Sequence, residues 1–546
     1  MKFKILISFE VETPQGMTEQ VEEIAKVTRG ELQLETLGLN LTEAKELLVQ
    51  VQKVMVAQQA NDYLPRKNSC PDCGVAYSYK SWHQVIFRTL FGKLQLQSPR
   101  FYRCACQTAT STAIDEAEIN LKNPKKSSSP LADYLKERSA PELIYLETKW
   151  SALMSYGLTG QLLADVLPLN KAVSKATLSE QIKKVAQRAE AELGEEKFSY
   201  IEGCPQEWYK LPQPGLPLVV GIDGGYVHAC KDRANNQSEK TEVIETSLSG
   251  EEPGGVELWA ENLELEKEKK LEKAQEDTGN WFEMIVGKSI PMGDGGKEKI
   301  KCFGFVNCYD PKPKRRLFEL LKRQGMQQNQ KIIFLSDGGD TVRNLQLYLN
   351  PEAEHLLDWF HITMRLTVMN QTAKGFTIKP LGEAKRIWEE LDEDKAEIEA
   401  TPPDRTEVEK ELGRTKWHLW HGNVFQALAS IKSLEFCLSG YEDSDAGSKK
   451  LLKKVREFRG YIEANQNYIV NYGERYRHGE TISSAFVEST VNQVISRRFV
   501  KKQQMKWKKE GAHLLMQVRT KVLNNELHET FQRWYPAMRA VVLDKT

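Results

Sequence analysis

Nowhere in the 546 residues does an uninterrupted apolar run approach the roughly 18 residues of a membrane-spanning helix, so no transmembrane helix is expected. Cysteine is sparse. Nine residues are too few for a disulfide framework in a chain of this length, and the four that fall in two tight pairs point to metal binding in a reducing compartment, the cytosol. Net charge is also lacking: Lys+Arg and Asp+Glu each number 76, so the local distribution of charge has to decide whether nucleic acid is a partner. No internal repeat is found. A cleaved leader is not expected either, because Glu10 and Glu12 break the short apolar run near the start. The length exceeds what one hydrophobic core serves and suggests roughly three or four modules, a multidomain α/β protein.

Residues 1–64 carry apolar positions at helical spacing (Val21, Ile24, Val27, then Leu47, Leu48, Val51, Val54) and read as a helical N-terminal region. Across 65–112, Cys70 with Cys73 and Cys104 with Cys106 bracket the alternating segment LFGKLQLQSPRFYRC, which suggests a β-hairpin between two metal knuckles. Four thiolates so arranged close a tetrahedral structural Zn²⁺ site, a zinc-ribbon-like module; the second pair is C-x-C, and reduced structural thiols are the plain alternative. Cys204, Cys230, Cys302, Cys308 and Cys437 are scattered and read as core or incidental residues. KNPKKSSSP at 122–130 reads as a polar linker. Residues 131–200 are helical again. They fit either a helix-turn-helix, with Ser174 and Thr177 starting a helix that carries Lys183, Lys184 and Arg188 toward DNA, or an ordinary helical hairpin.

Two later segments share one design, an apolar strand ending in an aspartate and a Gly-Gly pair: VVGIDGG and IIFLSDGG. Side chains at the carboxyl ends of strands in an open α/β sheet face the ligand crevice, so Asp223 and Asp337 are candidates for one site. Taken singly, each is also what a turn after a strand favours. A third acid is expected from a helix packed beside those strands. In SSAFVESTVNQVISRRFVKKQQM, Ser483 or Ser484 can cap a helix, and Phe486, Val487, Val491, Val494 and Ile495 form its apolar face. Glu488 lies near its start, where the helix dipole by itself also favours an acid. Three converging carboxylates repel unless cations neutralise them. Two Mg²⁺ or Mn²⁺ ions suit an oxygen-only site and create a phosphodiester-hydrolysing centre able to cut a strand and then join it. Further strands are expected at 281–290 and in KIKCFGFVNCY, while 231–280 reads as a charged, solvated insertion.

With these residues in place, the chain resembles bacterial insertion-sequence transposases of the ISKra type, relatives of the Mutator-like DDE enzymes. The most specific portion is FVESTVNQVISRRFVKKQQMKWKKEGAHLLMQVRTKVL. The resemblance implies an RNase H-like catalytic core, a mixed sheet flanked by helices, in two parts at 215–370 and 479–530 around an all-helical insertion at 371–478. It also implies that Asp223, Asp337 and Glu488 form the DDE triad and hold the metal ions. DWFH matches a family pattern, so Asp358 and His361 are expected to help order the active site; a strand-end aspartate with a core histidine is the plain reading. The implied activity is DNA cleavage at transposon terminal inverted repeats, followed by joining of the 3′-hydroxyls to target DNA. Alternatives are an inactive transposase-derived DNA-binding protein and an RNase H-like nuclease without strand transfer.

Between Ile495 and Leu523 stand nine Lys or Arg residues and one acid, Glu510. Arg497, Arg498, Lys501, Lys502, Lys506, Lys508 and Lys509, with Trp507 among them, therefore read as a phosphate-binding face beside Glu488, against the bland alternative of a solvated helix face. KPKRRLFELLKRQ at 312–324 is a second basic patch. WHLWH, with Trp417, His418, Trp420 and His421, suits either stacking on a flipped base or a core aromatic cluster. The expected partners are DNA and further copies of the chain in a synaptic complex, with no membrane, in a bacterial cytoplasm at the nucleoid.

Overall fold

The computed structural model describes residues 1–13, 16–104, 106, 127–169, 171–230, 281–291, 300–339, 345, 349–350, 353–374, 405–439, 446–500 and 506–538. The charged insertion at 231–280, Lys501 and Lys502 lie outside the described residues. No helix among the described residues is long and apolar enough to cross a membrane. The chain divides into two compact units, Met1–Val185 with Asn525–Thr546, and Ala186–Asn524.

The first unit opens on an antiparallel hairpin, β1 (Lys2–Thr13) and β2 (Gly16–Thr28), followed by helix α1 (Leu41–Tyr63). The helical spacing noted around Val21, Ile24 and Val27 therefore lies on a strand. Phe3, Ile5, Ile7 and Phe9 alternate along β1, and the ladder that strand offers outweighs a spacing too short to nucleate a helix. Asn40 and Glu43 form a reciprocal capping box at the start of α1, and Arg29 bonds Glu43 through two nitrogens at 2.8 and 2.6 Å.

The next pair, β3 (Tyr79–Thr89) and β4 (Gly92–Tyr102), is the hairpin expected between the cysteine pairs. Ser127–Ser128, from the stretch read as a linker, adds a short third strand along Phe101 and Tyr102. Helices α2 (Pro141–Leu153), α3 (Tyr156–Val166) and α4 (Lys175–Glu192) follow. Residues 167–174 connect the last two, a longer link than the three or four residues of a helix-turn-helix. This link lies against Gly160, where a Cβ would stand 2.5 Å from the Val173 carbonyl. Helix α5 (Leu527–Trp534) packs on α2 through Tyr145 and Phe531, ring centroids 5.5 Å apart. Residues from Asn525 on thus belong with this unit and not with the sheet that follows.

The second unit is built on a five-stranded mixed sheet of β6 (Leu218–His228), β7 (Trp281–Pro291), β8 (Lys301–Val306), β9 (Ile332–Ser336) and β10 (Ala353–Leu357), where β5 denotes the short strand at Ser127–Ser128. Their order across the sheet is β10-β9-β6-β7-β8; β6, β7 and β8 are antiparallel neighbours, and β6, β9 and β10 run parallel. Near-continuous apolar runs such as Leu218–Ile222 suit strands covered on both faces. One face buries Val220, Ile222, Phe303, Phe305 and Phe334 with Leu317 and Leu321 of helix α6 (Pro313–Arg323); the other buries Val219, Ile333, Leu335 and Leu356. After helix α7 (Trp359–Ala373), the described part of the 371–478 region is helical, as expected: Arg405–Trp420, Val424–Ser439, Ala446–Asn465 and Tyr472–Arg477, around a core that includes Leu419, Ile431, Leu451 and Phe458.

Candidate active site and cysteine centre

Parallel pairing matches Gly221 of β6 with Leu335 of β9, and Ser336 of β9 with Leu357 of β10. Carried past the last pairs, that register aligns Asp223 with Asp337 and Asp358, which stand just past the ends of β9 and β10; Asp223 itself is mid-strand, because β6 does not stop at the Gly-Gly pair as its sequence suggests but runs on to His228 against β7. Side chains alternate along a strand. Asp223 therefore shares a face with Val219 and Gly221, Asp337 with Ile333 and Leu335, and Asp358 with Leu356, the same face in each case. Asp223 accepts from the Gly224 N–H at 2.8 Å, and Asp337 from the Gly339 N–H at 3.2 Å. Gly338 between them has φ +91°, a conformation that glycine adopts without strain.

The two glycines flanking Asp223 have a different use. A Cβ on Gly221 would overlap the side chain of Val487, and one on Gly225 would crowd Ile495 at 3.2 Å. They are the seat of the helix that carries Glu488, α8 (Ala485–Val491), which continues as a π-helical segment over Asn492–Val500. Val487, Val491 and Ile495 face β6, and Glu488, next to Val487, is exposed. The carboxylates of Asp223, Asp337 and Glu488 are not gathered so tightly that every ligand oxygen lies within 4.8 Å of the others; the groups of described residues that meet that spacing are elsewhere.

Asp358 is fully buried and makes a knot of hydrogen bonds. It caps α7 by accepting from the Phe360 N–H at 2.9 Å, and it accepts both the backbone N–H, at 2.9 Å, and the hydroxyl of Ser484. His361 Nε2 stands 3.6 Å from Oδ2, the oxygen that accepts the Ser484 hydroxyl. Burial pushes the Asp358 carboxyl above its usual range, with the Ser484 and Phe360 hydrogen bonds opposing. Asp223 is raised too, first by burial and then by the charges of Asp337 and Asp358, against the pull of the Gly224 N–H and His361. Asp223, Asp337 and Asp358 offer oxygen atoms alone as ligands, the donor chemistry that hard divalent cations require.

The basic residues divide. Arg497, Lys506, Lys508 and Lys509 are exposed. Arg498 is not: it is wholly buried, with its guanidinium 5.2 Å from the ring of buried Trp507. Trp507 pairs with the end of β6, donating its N–H to the His228 carbonyl at 2.9 Å, and so belongs to the core. Arg519 is also buried and donates to the carbonyls of Val494 and Gln493, groups that the wide π-helical turn leaves accessible.

In the second basic patch one arginine turns inward, while Lys322 and Arg323 are exposed. Arg316 is buried and forks to Glu190 (2.9 Å twice) and Asp310 (2.9 and 3.2 Å), and it reaches Gln517 at 2.6 Å. Glu190, Asp310 and His513 have the spacing of a metal site, but this guanidinium already fills it. Burial would raise the Glu190 carboxyl; the bonds from His513 and Arg316 outweigh it and hold it at about 2. Arg316 lies on the apolar face of its helix beside Leu317 and Leu320, a position that marks it as internal.

In the first unit Cys70, Cys73, Cys104 and Cys106 come together, with Cys70 to Cys106 and Cys73 to Cys104 each at 3.4 Å between sulfurs. Four sulfurs at such spacing can hold Zn²⁺. In the WHLWH segment, Trp420 packs against Trp359 (5.0 Å), whereas Trp417 is exposed, with His421 at 4.3 Å.

No protein-family model matches the chain, and no curated protein matches it. Among solved structures it is similar to a Drosophila P element transposase strand transfer complex at 9% identity, over 77% of this chain and 99% of that one, with a TM-score of 0.27. Superposition at that level carries no inference about fold or function.

Proposed function

We propose that the protein is a DDE transposase that binds transposon terminal inverted repeats, cleaves DNA at the ends and joins the 3′-hydroxyls to target DNA. The observation that carries this reading is the register that aligns Asp223, in the middle of β6, with Asp337 just past the end of the adjacent parallel strand β9, with the helix of Glu488 seated on Gly221 and Gly225. The sheet order, with the first strand central between the second and the fourth, supports an RNase H-like core. Asp223, Asp337 and Glu488 are the residues to hold two Mg²⁺ or Mn²⁺ ions, whose Lewis acidity polarises the scissile phosphate and activates the attacking oxygen when they are bound. Asp358 is a positioning residue: through Ser484 it holds the start of the Glu488 helix against the strand ends. Arg497, Lys506, Lys508 and Lys509 offer charge to the DNA backbone.

The test is strand transfer of labelled terminal DNA into a target plasmid with Mg²⁺, comparing wild type with Asp337→Asn and Glu488→Gln. Joined product from the wild type alone is expected. Equal product from all three overturns the assignment, and cleavage without joining reassigns the protein as a nuclease.

A further inference from the structure

From Cys73 to Cys106 the chain has five basic residues, Lys80, Arg88, Lys93, Arg100 and Arg103, and no acid, although acids make up 76 of the 546 residues overall. Within that stretch three large aromatic side chains stand in solvent: Trp82 is 64% exposed, Tyr79 53% and Tyr102 48%. Aromatic side chains ordinarily serve a core, and the opposite face of this hairpin has one, with Val85 and Leu94 buried. The exposed rings are ordered by one another. The register slips at Lys80, bringing the rings of Tyr79 and Trp82 to 6.0 Å, and the Lys80 ammonium lies 5.2 Å from the Tyr102 ring centre.

The strand carries the pattern onward. Trp82, Gln84, Ile86 and Arg88 alternate along β3 on one face over roughly 20 Å, and Gln84, Ile86 and Arg88 line a cleft of about 540 Å³ whose other wall includes Arg138, Gln181 and Lys184. The acids in that cleft, Glu137 and Glu180, are engaged with Tyr535 and Lys184. Flat rings followed by amides, on a hairpin without an acid between Cys73 and Cys106, match unpaired bases on a phosphodiester backbone, while Arg88 at the far end is held by Glu147 at 2.6 Å; a base-paired duplex hides the ring faces that such a platform would take.

We propose that this face of the hairpin binds single-stranded DNA, with bases stacked on Trp82 and Tyr79 and the backbone running along β3 toward the cleft lined by Gln84 and Ile86. The site is independent of the carboxylate centre. It is tested with the full chain, in buffer without divalent cations, by the anisotropy of a short fluorescein-labelled thymidine oligonucleotide and of a blunt duplex of equal length. Trp82→Ala and Tyr79→Ala are expected to weaken single-strand binding by roughly five- to a hundred-fold, with the duplex changing much less. Trp82→Phe, which keeps a ring, is expected to retain most of the affinity. Unchanged single-strand affinity in both alanine variants overturns the proposal, and so does an equal loss for the duplex, which would make the face a backbone contact without base stacking.

Discussion

Ser484 gives both its backbone N–H and its hydroxyl to the buried carboxylate of Asp358, binding the first turn of the Glu488 helix to the end of β10. The serine therefore acts across the fold as well as along its own helix. Asp358→Asn puts an amide N–H where an acceptor is required, and a loss of about 1–3 kcal/mol in urea unfolding is expected. Ser484→Ala removes one of the bonds and should cost about 1 kcal/mol. If the pair positions Glu488, both variants also lose strand transfer more steeply than they lose fold.

A side chain at Gly221 has nowhere to go, because Val487 and Phe486 fill the space above it. Gly221→Ala is expected to destabilise the protein by about 1–3 kcal/mol through overpacking. Gly460 is the contrast: it lies within a helix with nothing near its missing Cβ, and Gly460→Ala should raise stability by up to about 1 kcal/mol. Thermal denaturation of the two variants should give shifts of opposite sign.

The four clustered cysteines are expected to bind Zn²⁺ stoichiometrically, as read by metal analysis of the purified protein, and to give a tetrahedral thiolate spectrum when Co²⁺ is substituted. Cys73→Ser should lose the metal and expose the β3–β4 hairpin to protease, since a metal of this kind contributes folding energy directly.

Glu190 titrates at about 2 in the fold against an ordinary 4.5, so its pairing with Arg316 stabilises the second unit fully above pH 4.5. That contribution is lost as pH falls from 4.5 through about 2. Urea midpoints taken across the window should fall in the wild type, and Glu190→Gln should be less stable at neutral pH and show a flatter decline. A parallel decline in the variant would place the acid sensitivity elsewhere.

Two neighbouring arginines should behave differently. Arg497 is exposed, and its replacement by Ala is expected to lower the slope of log affinity for DNA against log salt by roughly 0.9 while leaving stability nearly unchanged. Arg498 is buried against Trp507, so Arg498→Ala should instead reduce stability.

Much of this arrangement was legible from residue order alone, because the signals are local. The apolar runs ending in Asp223 and Asp337, the hairpin between cysteine pairs and the helical stretch after α7 each declare themselves through periodicity and turn chemistry within a few residues. Where local signals were weak, partners decided. The segment at 16–28 became a strand because β1 lies beside it, and Arg316 and Arg498 turned inward although their neighbours in sequence are cationic. Charge composition counts a guanidinium without saying which side of a helix it leaves from.

Residue order by itself determined which side chains are candidates for the chemistry: acids after apolar runs, paired thiols, a glutamate one turn into a helix. Their alignment was decided only by tertiary structure, because Asp223 and Asp337 are brought side by side by the pairing of strands more than a hundred residues apart. The helix that carries Glu488 is held against β6 and the end of β10 by an interlock of Gly221 with Val487 and of Asp358 with Ser484. Shape complementarity and hydrogen bonds between distant segments have no signature in the spacing of either segment, so they exist only once the chain has folded.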